Sequence, residues 1–227
     1  MTRADRAAQE ELFDAGAAPA GSREQLEPGA FVLRAFAVDG ATVLLDAIGL
    51  VAQAAPLRHM TTAGGWRMSV GMTNCGDAGW LSDRSGYRYD AIDPQTHRPW
   101  PAMPEVFATL AMRAASAAGF DGFAPDACLI NRYEPGTRLT LHQDRDEQDY
   151  AAPIVSVSLG VAATFLWGGG ARTDKPRRVR LEHGDVVVWG GPARLNFHGI
   201  DTLGEAQHAL TGSARFNLTF RRALLER

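Results

Sequence analysis

From Ala127 to the C-terminus the chain changes period. Apolar side chains that recurred every three or four residues now alternate with polar ones at every second residue. A period of two sends successive side chains to opposite faces of a strand, and such a pattern cannot bury one face of a helix. Residues 127–133, 139–142, 154–159, 164–167, 177–181, 185–189 and 214–221 are the strand candidates. Turn signals separate them: Pro135-Gly136, Gly168-Gly169-Gly170, His183-Gly184-Asp185 and Gly190-Gly191-Pro192. Many short strands with punctuated turns point to a sandwich or jelly roll. At 227 residues, 45% of them hydrophobic, the chain is long enough for one real core, so one domain is the default.

Upstream the pattern is mixed. Residues 31–36 read as a short strand. From Asp39 to about Ala54, Val43, Leu44, Ile48 and Val51 recur at helical spacing, and Pro56 ends the run. A second helix begins near Pro104, with Val106, Phe107, Leu110 and Ala114 as its buried stripe and Gly119 as its stop. Between them, residues 61–100 carry Gly, Thr, Asp and the aromatics Trp66, Trp80, Tyr87, Tyr89 and Trp100 with little helical period, which reads as hairpins and loops. Residues 1–28, rich in Ala, Glu and Arg, read as a loosely attached lead-in. The expected architecture is mostly β with flanking helices: the lead-in, an extension over 29–126 and a β core over 127–227, within one domain overall.

Net charge is -3, so nucleic-acid binding would have to come from a local patch. The stretch 172–180, with Arg172, Lys175, Arg177, Arg178 and Arg180, is the best candidate for phosphate contact. Two cysteines, Cys75 and Cys128, make neither a disulfide framework nor a cysteine zinc site. No leader-type apolar stretch opens the chain and no run approaches membrane-spanning length, so the expectation is a cytoplasmic protein with no membrane partner.

The chemistry concentrates in two strands. In Leu141-His142-Gln143-Asp144, His142 and Asp144 share one face and can ligate one metal. His198, in Phe197-His198-Gly199, would complete a face of two imidazoles and a carboxylate, a donor set that suits iron, manganese or zinc better than copper. A His-x-Asp spacing alone is a weak signal. The sharper one is Arg215-x-Asn217-x-Thr219-x-Arg221, alternating with Phe216, Leu218 and Phe220. The polar set faces either solvent or a polar barrel interior. Buried, those arginines need anions, because a lone buried charge costs several kcal/mol. A dicarboxylate such as 2-oxoglutarate would satisfy them, with Asn131 and Tyr133 adding neutral hydrogen bonds.

Asn131-Arg132-Tyr133, His142-x-Asp144, His198 and Arg215-x-Asn217-x-Thr219-x-Arg221, in this order, resemble the AlkB-type Fe(II)/2-oxoglutarate-dependent dioxygenases. The likeness runs from about residue 31 to 224. It implies a double-stranded β-helix (jelly-roll) core, with His142, Asp144 and His198 as iron ligands. Asn131, Tyr133, Arg215, Asn217 and Arg221 would bind 2-oxoglutarate, Arg221 lying at the metal end. Trp80, Tyr87, Tyr89, Asp146 and Arg172 fall where the family contacts the damaged nucleotide, so the extension would carry nucleotide-recognition hairpins. The implied activity is oxidative demethylation of 1-methyladenine and 3-methylcytosine in single- or double-stranded DNA, with RNA as a further substrate. It consumes O2 and 2-oxoglutarate and acts in direct-reversal DNA repair, by a monomer. Two other readings compete: a hydroxylase of protein or small molecules on the same iron fold, and a non-catalytic nucleic-acid-binding barrel. The lead-in before Gly29 does not match the family, and Asn196 stands where an aromatic is expected.

Overall fold

In the computed structural model, which describes residues 19–225, the chain opens with β1 (Arg23–Glu27) and β2 (Ala30–Leu33), followed by α1 (Ala41–Ala54). Next come β3 (Gly71–Gly76), the hairpin β4 (Gly79–Asp83) and β5 (Gly86–Asp90), and the short pair β6 (Ile92–Asp93) and β7 (Arg98–Pro99). After α2 (Glu105–Ala117) the strands of the C-terminal half follow: β8 (Ala127–Tyr133), β9 (Leu139–His142), β10 (Ile154–Gly160), β11 (Ala163–Trp167), β12 (Arg177–Leu181), β13 (Val186–Trp189), β14 (His198–Ile200) and β15 (Arg215–Arg221).

Apart from the separate pairs β4–β5 and β6–β7, these strands make two facing sheets, antiparallel throughout. The larger has the order β1-β2-β13-β10-β15-β8-β3; the smaller is β12-β11-β14-β9. This is the expected jelly roll with helices packed outside it. Alternation divides the larger sheet's side chains between two cores. Cys128, Ile130, Val155, Val157, Leu218 and Phe220 point toward α1 and α2 and pack with Leu44, Ile48, Phe107 and Leu110. Leu129, Tyr133, Ile154, Val187 and Trp189 point the other way, toward Phe165, Trp167, Val179 and Ile200 of the smaller sheet. Covered on both faces, β10 is buried at every residue.

Several expectations shift. Within the stretch read as a lead-in, Arg23–Glu27 is a strand that pairs with β2, held further by Arg34 and Arg177 on Glu24; residues 1–18 lie outside the described residues. β3 sits inside the region read as hairpins and loops, yet it is one of the two edge strands of the larger sheet. On α1 the buried stripe is Ala41, Leu44, Ala47, Ile48 and Val51; Val43, about 100° off that stripe, is 56% exposed. In α2, Gly119 stops the helix at φ +91°, a conformation that favours glycine.

Candidate metal and cosubstrate site

The pairing of β9 with β14 places His198 directly opposite His142. Gly199 permits that approach, since a Cβ there would stand 2.6 Å from the Leu139 carbonyl oxygen. Asp144 follows β9 by two residues, so its carboxylate turns to the same side. The ligand atoms of His142, Asp144 and His198 all lie within 4.8 Å of one another. His142 Nε2 is 3.6 Å from Asp144 Oδ1, and His198 Nε2 is 3.8 Å from Asp144 Oδ2. Each imidazole is oriented from behind: Nδ1 of His142 lies 2.9 Å from the Thr140 carbonyl, and Nδ1 of His198 lies 3.0 Å from that of Asn196. A carbonyl only accepts, so each Nδ1 carries the proton and each Nε2 presents a lone pair to the shared centre.

The electrostatics favour ligand-ready states. Burial lowers the His198 imidazole to about 4, and the neighbouring His142 adds to the shift. It therefore stays neutral. Burial opposes the charge on Asp144, but Arg221, His198 and His142 outweigh it and hold the carboxyl well below the usual range. Arg221 donates from Nε (2.8 Å) and Nη2 (2.6 Å) to the Oδ2 atom of Asp144.

Beneath this centre the interior face of β15 continues through Thr219 and Asn217 to Arg215. The arginine row is buried, not turned to solvent. Asn217 donates to the Ser156 hydroxyl (2.8 Å) and the Val157 carbonyl (3.0 Å). Arg215 is 1% exposed, donates from Nη2 to the Ser158 hydroxyl at 2.9 Å, and leaves Nε and Nη1 without a partner. Burial with no facing anion lowers its pKa. Asn131 Oδ1 is likewise buried and unpartnered. Burial pushes the Tyr133 phenol up to about 12, so it stays a neutral donor beneath the Arg215 guanidinium, which lies 5.2 Å from its ring centroid. A dry guanidinium with two idle donors asks for a carboxylate. The residues present therefore fit both absent groups: a dication at the two imidazoles and Asp144, and a dicarboxylate reaching from there toward Arg215.

A cavity of about 400 Å3 opens above, lined by His142, Asp144, His198, Arg221, Asn131, Tyr133, Asn217, Trp80, Tyr87, Asp146 and Arg172 among others. Trp80 and Tyr87 stack at 5.7 Å with planes 10° apart, and the Trp80 indole donates to Asp146 Oδ2 at 2.8 Å. Trp80 is partly buried, packing also against the core between the two sheets. Arg172 lies over the Phe197 ring at 5.9 Å.

Two groups expected at the site make contacts elsewhere. Tyr89 does not line the cavity; its hydroxyl donates to Glu147 at 2.7 Å. In the basic hairpin the exposed Arg177, Arg178 and Arg180 pair with Glu24, Asp201 and Glu182. Glu147 and Arg194 were missed. They form a buried pair at 3.1 Å beside the metal end. Their partners lie far off in sequence, and no local pattern marks them.

The pattern of the 2OG-Fe(II) oxygenase superfamily matches residues 30–221. The chain belongs to that superfamily. The oxygenase is 57% identical over 212 residues, 93% of its own chain and 98% of the relative's, to the alpha-ketoglutarate-dependent dioxygenase AlkB of Salmonella typhimurium. It is also 57% identical to the Escherichia coli protein of the same name, over 88% of this chain and 93% of that one. The solved structure of OsALKBH1 superposes with a TM-score of 0.78 at 29% identity, covering 88% of the oxygenase and 100% of that chain. Fe(II) and 2-oxoglutarate are the oxygenase's cofactors, and it is a 2-oxoglutarate-dependent dioxygenase.

Proposed function

We propose that the protein demethylates N-alkylated bases of nucleic acids, 1-methyladenine and 3-methylcytosine in DNA and the same lesions in RNA. The observation that carries this reading is the Trp80–Tyr87 stack, bonded to Asp146, in the wall of the cavity that also holds His142, Asp144 and His198. Those two lesions carry positive charge on the base. An aromatic face attracts such a cation by about 0.5–2 kcal/mol, and Asp146 offers a carboxylate to the same charge or to the exocyclic amine. A methyl group inside a duplex cannot reach the centre, so the base enters unpaired or flipped out. The relatives named AlkB support the reading, as does mouse ALKBH1, a nucleic acid dioxygenase 33% identical over 53% of this chain.

His142, Asp144 and His198 would hold the iron. Arg215 would take the distal carboxylate of 2-oxoglutarate, with Asn131, Tyr133 and Asn217 along its length. Arg221 fixes the Asp144 carboxylate. When bound, iron, 2-oxoglutarate and O2 supply the oxidation that hydroxylates the N-methyl carbon, giving succinate, CO2 and, after collapse of the N-hydroxymethyl group, formaldehyde. The chain's own share is to keep His198 neutral and Asp144 ionised, to seat the cosubstrate, and to clamp the base. Arg145 and Arg172, both exposed and lining the cavity, are the better-placed phosphate contacts. In the same reading, residues 127–227 are the catalytic core and 29–126 bring the recognition hairpin. The two free buried thiols support a reducing, cytoplasmic setting, in which the protein acts as a monomer.

The test is formaldehyde release from an oligonucleotide carrying 3-methylcytosine. Release that requires both iron and 2-oxoglutarate is expected. Cosubstrate turnover indifferent to methylated DNA would instead favour a protein or small-molecule hydroxylase.

A further inference from the structure

Glu147 is one of the most deeply buried carboxylates in the described chain, with 2% of its side chain exposed, and nothing in the proposed chemistry uses it. Its environment is specific. Oε1 receives the Tyr89 hydroxyl at 2.7 Å and lies 3.2 Å from Arg221 Nε; Oε2 lies 3.1 Å from Arg194 Nη2. Both arginines also hold Asp144, Arg221 at the carboxylate and Arg194 at the backbone carbonyl, 2.7 Å from Nη1. Two buried guanidinium groups therefore meet two buried carboxylates, and Glu147 is the point where the arginines converge.

We propose that Glu147 is a positioning residue for the iron-binding carboxylate, and that Tyr89 uses it to couple the β4–β5 hairpin to the metal end. The charge count gives the first half. Without Glu147, one excess positive charge would sit in a dry site beside a dication. Arg221 would also lean wholly on Asp144 and compete with the metal for its lone pairs. The second half follows from the hairpin. Tyr89 faces Trp80 across the β4–β5 pairing, and Trp80 stacks on Tyr87. The strand pair that clamps the base is thus pinned, through one hydroxyl, to the group that orients Asp144. Order imposed at either end reaches the other, and such coupling is reciprocal. This half rests on the demethylase reading; the first does not.

The experiment uses the full chain with Mn(II) as the metal probe. Mn(II) affinity is measured by calorimetry in the presence of 2-oxoglutarate. Binding of a single-stranded oligonucleotide with one 3-methylcytosine is measured by anisotropy, with and without Mn(II) and 2-oxoglutarate. Glu147→Gln is expected to weaken Mn(II) binding by roughly 10–100-fold, the usual loss when a ligand's supporting partner is removed. An affinity within about twofold of the parent overturns the positioning role whatever the substrate proves to be. Should Glu147→Gln not fold, Glu147→Asp carries this arm: it keeps the charge, shortens the reach, and is expected to lose about tenfold on the same ground. In the parent protein, metal and cosubstrate together are expected to tighten oligonucleotide binding by about fivefold or more. In Tyr89→Phe that gain disappears, while Mn(II) affinity changes little. Retention of the gain in Tyr89→Phe, or its absence from the parent, overturns the coupling.

Discussion

Arg215 and Arg221 stand on the same face of β15, both buried in the same sheet, and their surroundings are opposite. Arg221 is answered by two carboxylates. It reaches Asp144 through two donors and Glu147 through a third contact, and although burial works against its charge, those anions and Tyr89 raise its pKa. Arg215 has one hydroxyl partner and two idle donors, and burial lowers its pKa. A side chain whose charge is answered within the fold contributes to the fold. One whose charge is left open adds to the ligand's binding energy instead. The metal end of the site is thus built before anything binds, whereas the distal end is completed by the cosubstrate.

Stability is the first place to break this contrast. Arg221→Met leaves the buried Asp144 carboxylate without its cation and Glu147 with Arg194 alone, and is expected to cost about 3–5 kcal/mol in the metal-free protein. Arg215→Met removes an unanswered charge and is expected to leave stability unchanged or higher. Urea denaturation of both variants checks the pair, and equal losses would erase the distinction. Next in size, Asp144→Ala removes a ligand outright, so the loss of Mn(II) affinity should exceed the roughly 10–100-fold attached to a ligand's supporting partner. The chain should still fold, because Arg221 keeps Glu147; calorimetry and circular dichroism together report both.

Acid probes the same end. The His198 imidazole is lowered from 6.5 to about 4, so the unfolded chain binds a proton that the folded one refuses. The metal-free protein then gains nothing above about pH 6.5 and loses stability as pH falls toward 4. The loss at pH 5 is about 2 kcal/mol, measurable by denaturation in chelator at pH 7 and pH 5. A flat profile would mean that His198 is not held neutral. The smallest effect lies at the exposed rim of the cavity. Neutralising Arg145 and Arg172 should reduce the salt dependence of single-strand binding by about 0.7 in slope per lost phosphate contact. Neutralising Arg177 and Arg178, already paired, should change it less.

Much of this was legible in the chain. The β15 alternation, the Asn131 and Tyr133 face of β8 and the His142/Asp144 pair each follow from a strand's period of two, and the structure brings them to one cavity, except Arg215, which is buried beside Tyr133. Other features depend on partners far away in sequence. β3, Gly-Met-Thr-Asn-Cys-Gly, lacks β-branched bulk apart from one threonine and becomes a strand because β8 offers it an edge. Arg23-Glu-Gln-Leu-Glu27 has no strand signature and is held by β2 and by arginines on Glu24. Tyr89 sits one strand period from Tyr87, yet Glu147, 58 residues on, draws its hydroxyl away from the cavity. Glu147 itself reads as a solvated charge in Asp-Arg-Asp-Glu until Arg194 and Arg221 arrive from other strands and turns.

The open valence of Arg215 can be tested by comparing 2-oxoglutarate with 2-oxobutyrate, which keeps the keto acid and lacks the distal carboxylate. Calorimetry on the Mn(II)-loaded protein should show 2-oxoglutarate favoured by about 2–4 kcal/mol, with that preference gone in Arg215→Met. An Arg215→Met protein that still prefers 2-oxoglutarate to the same degree would contradict the account.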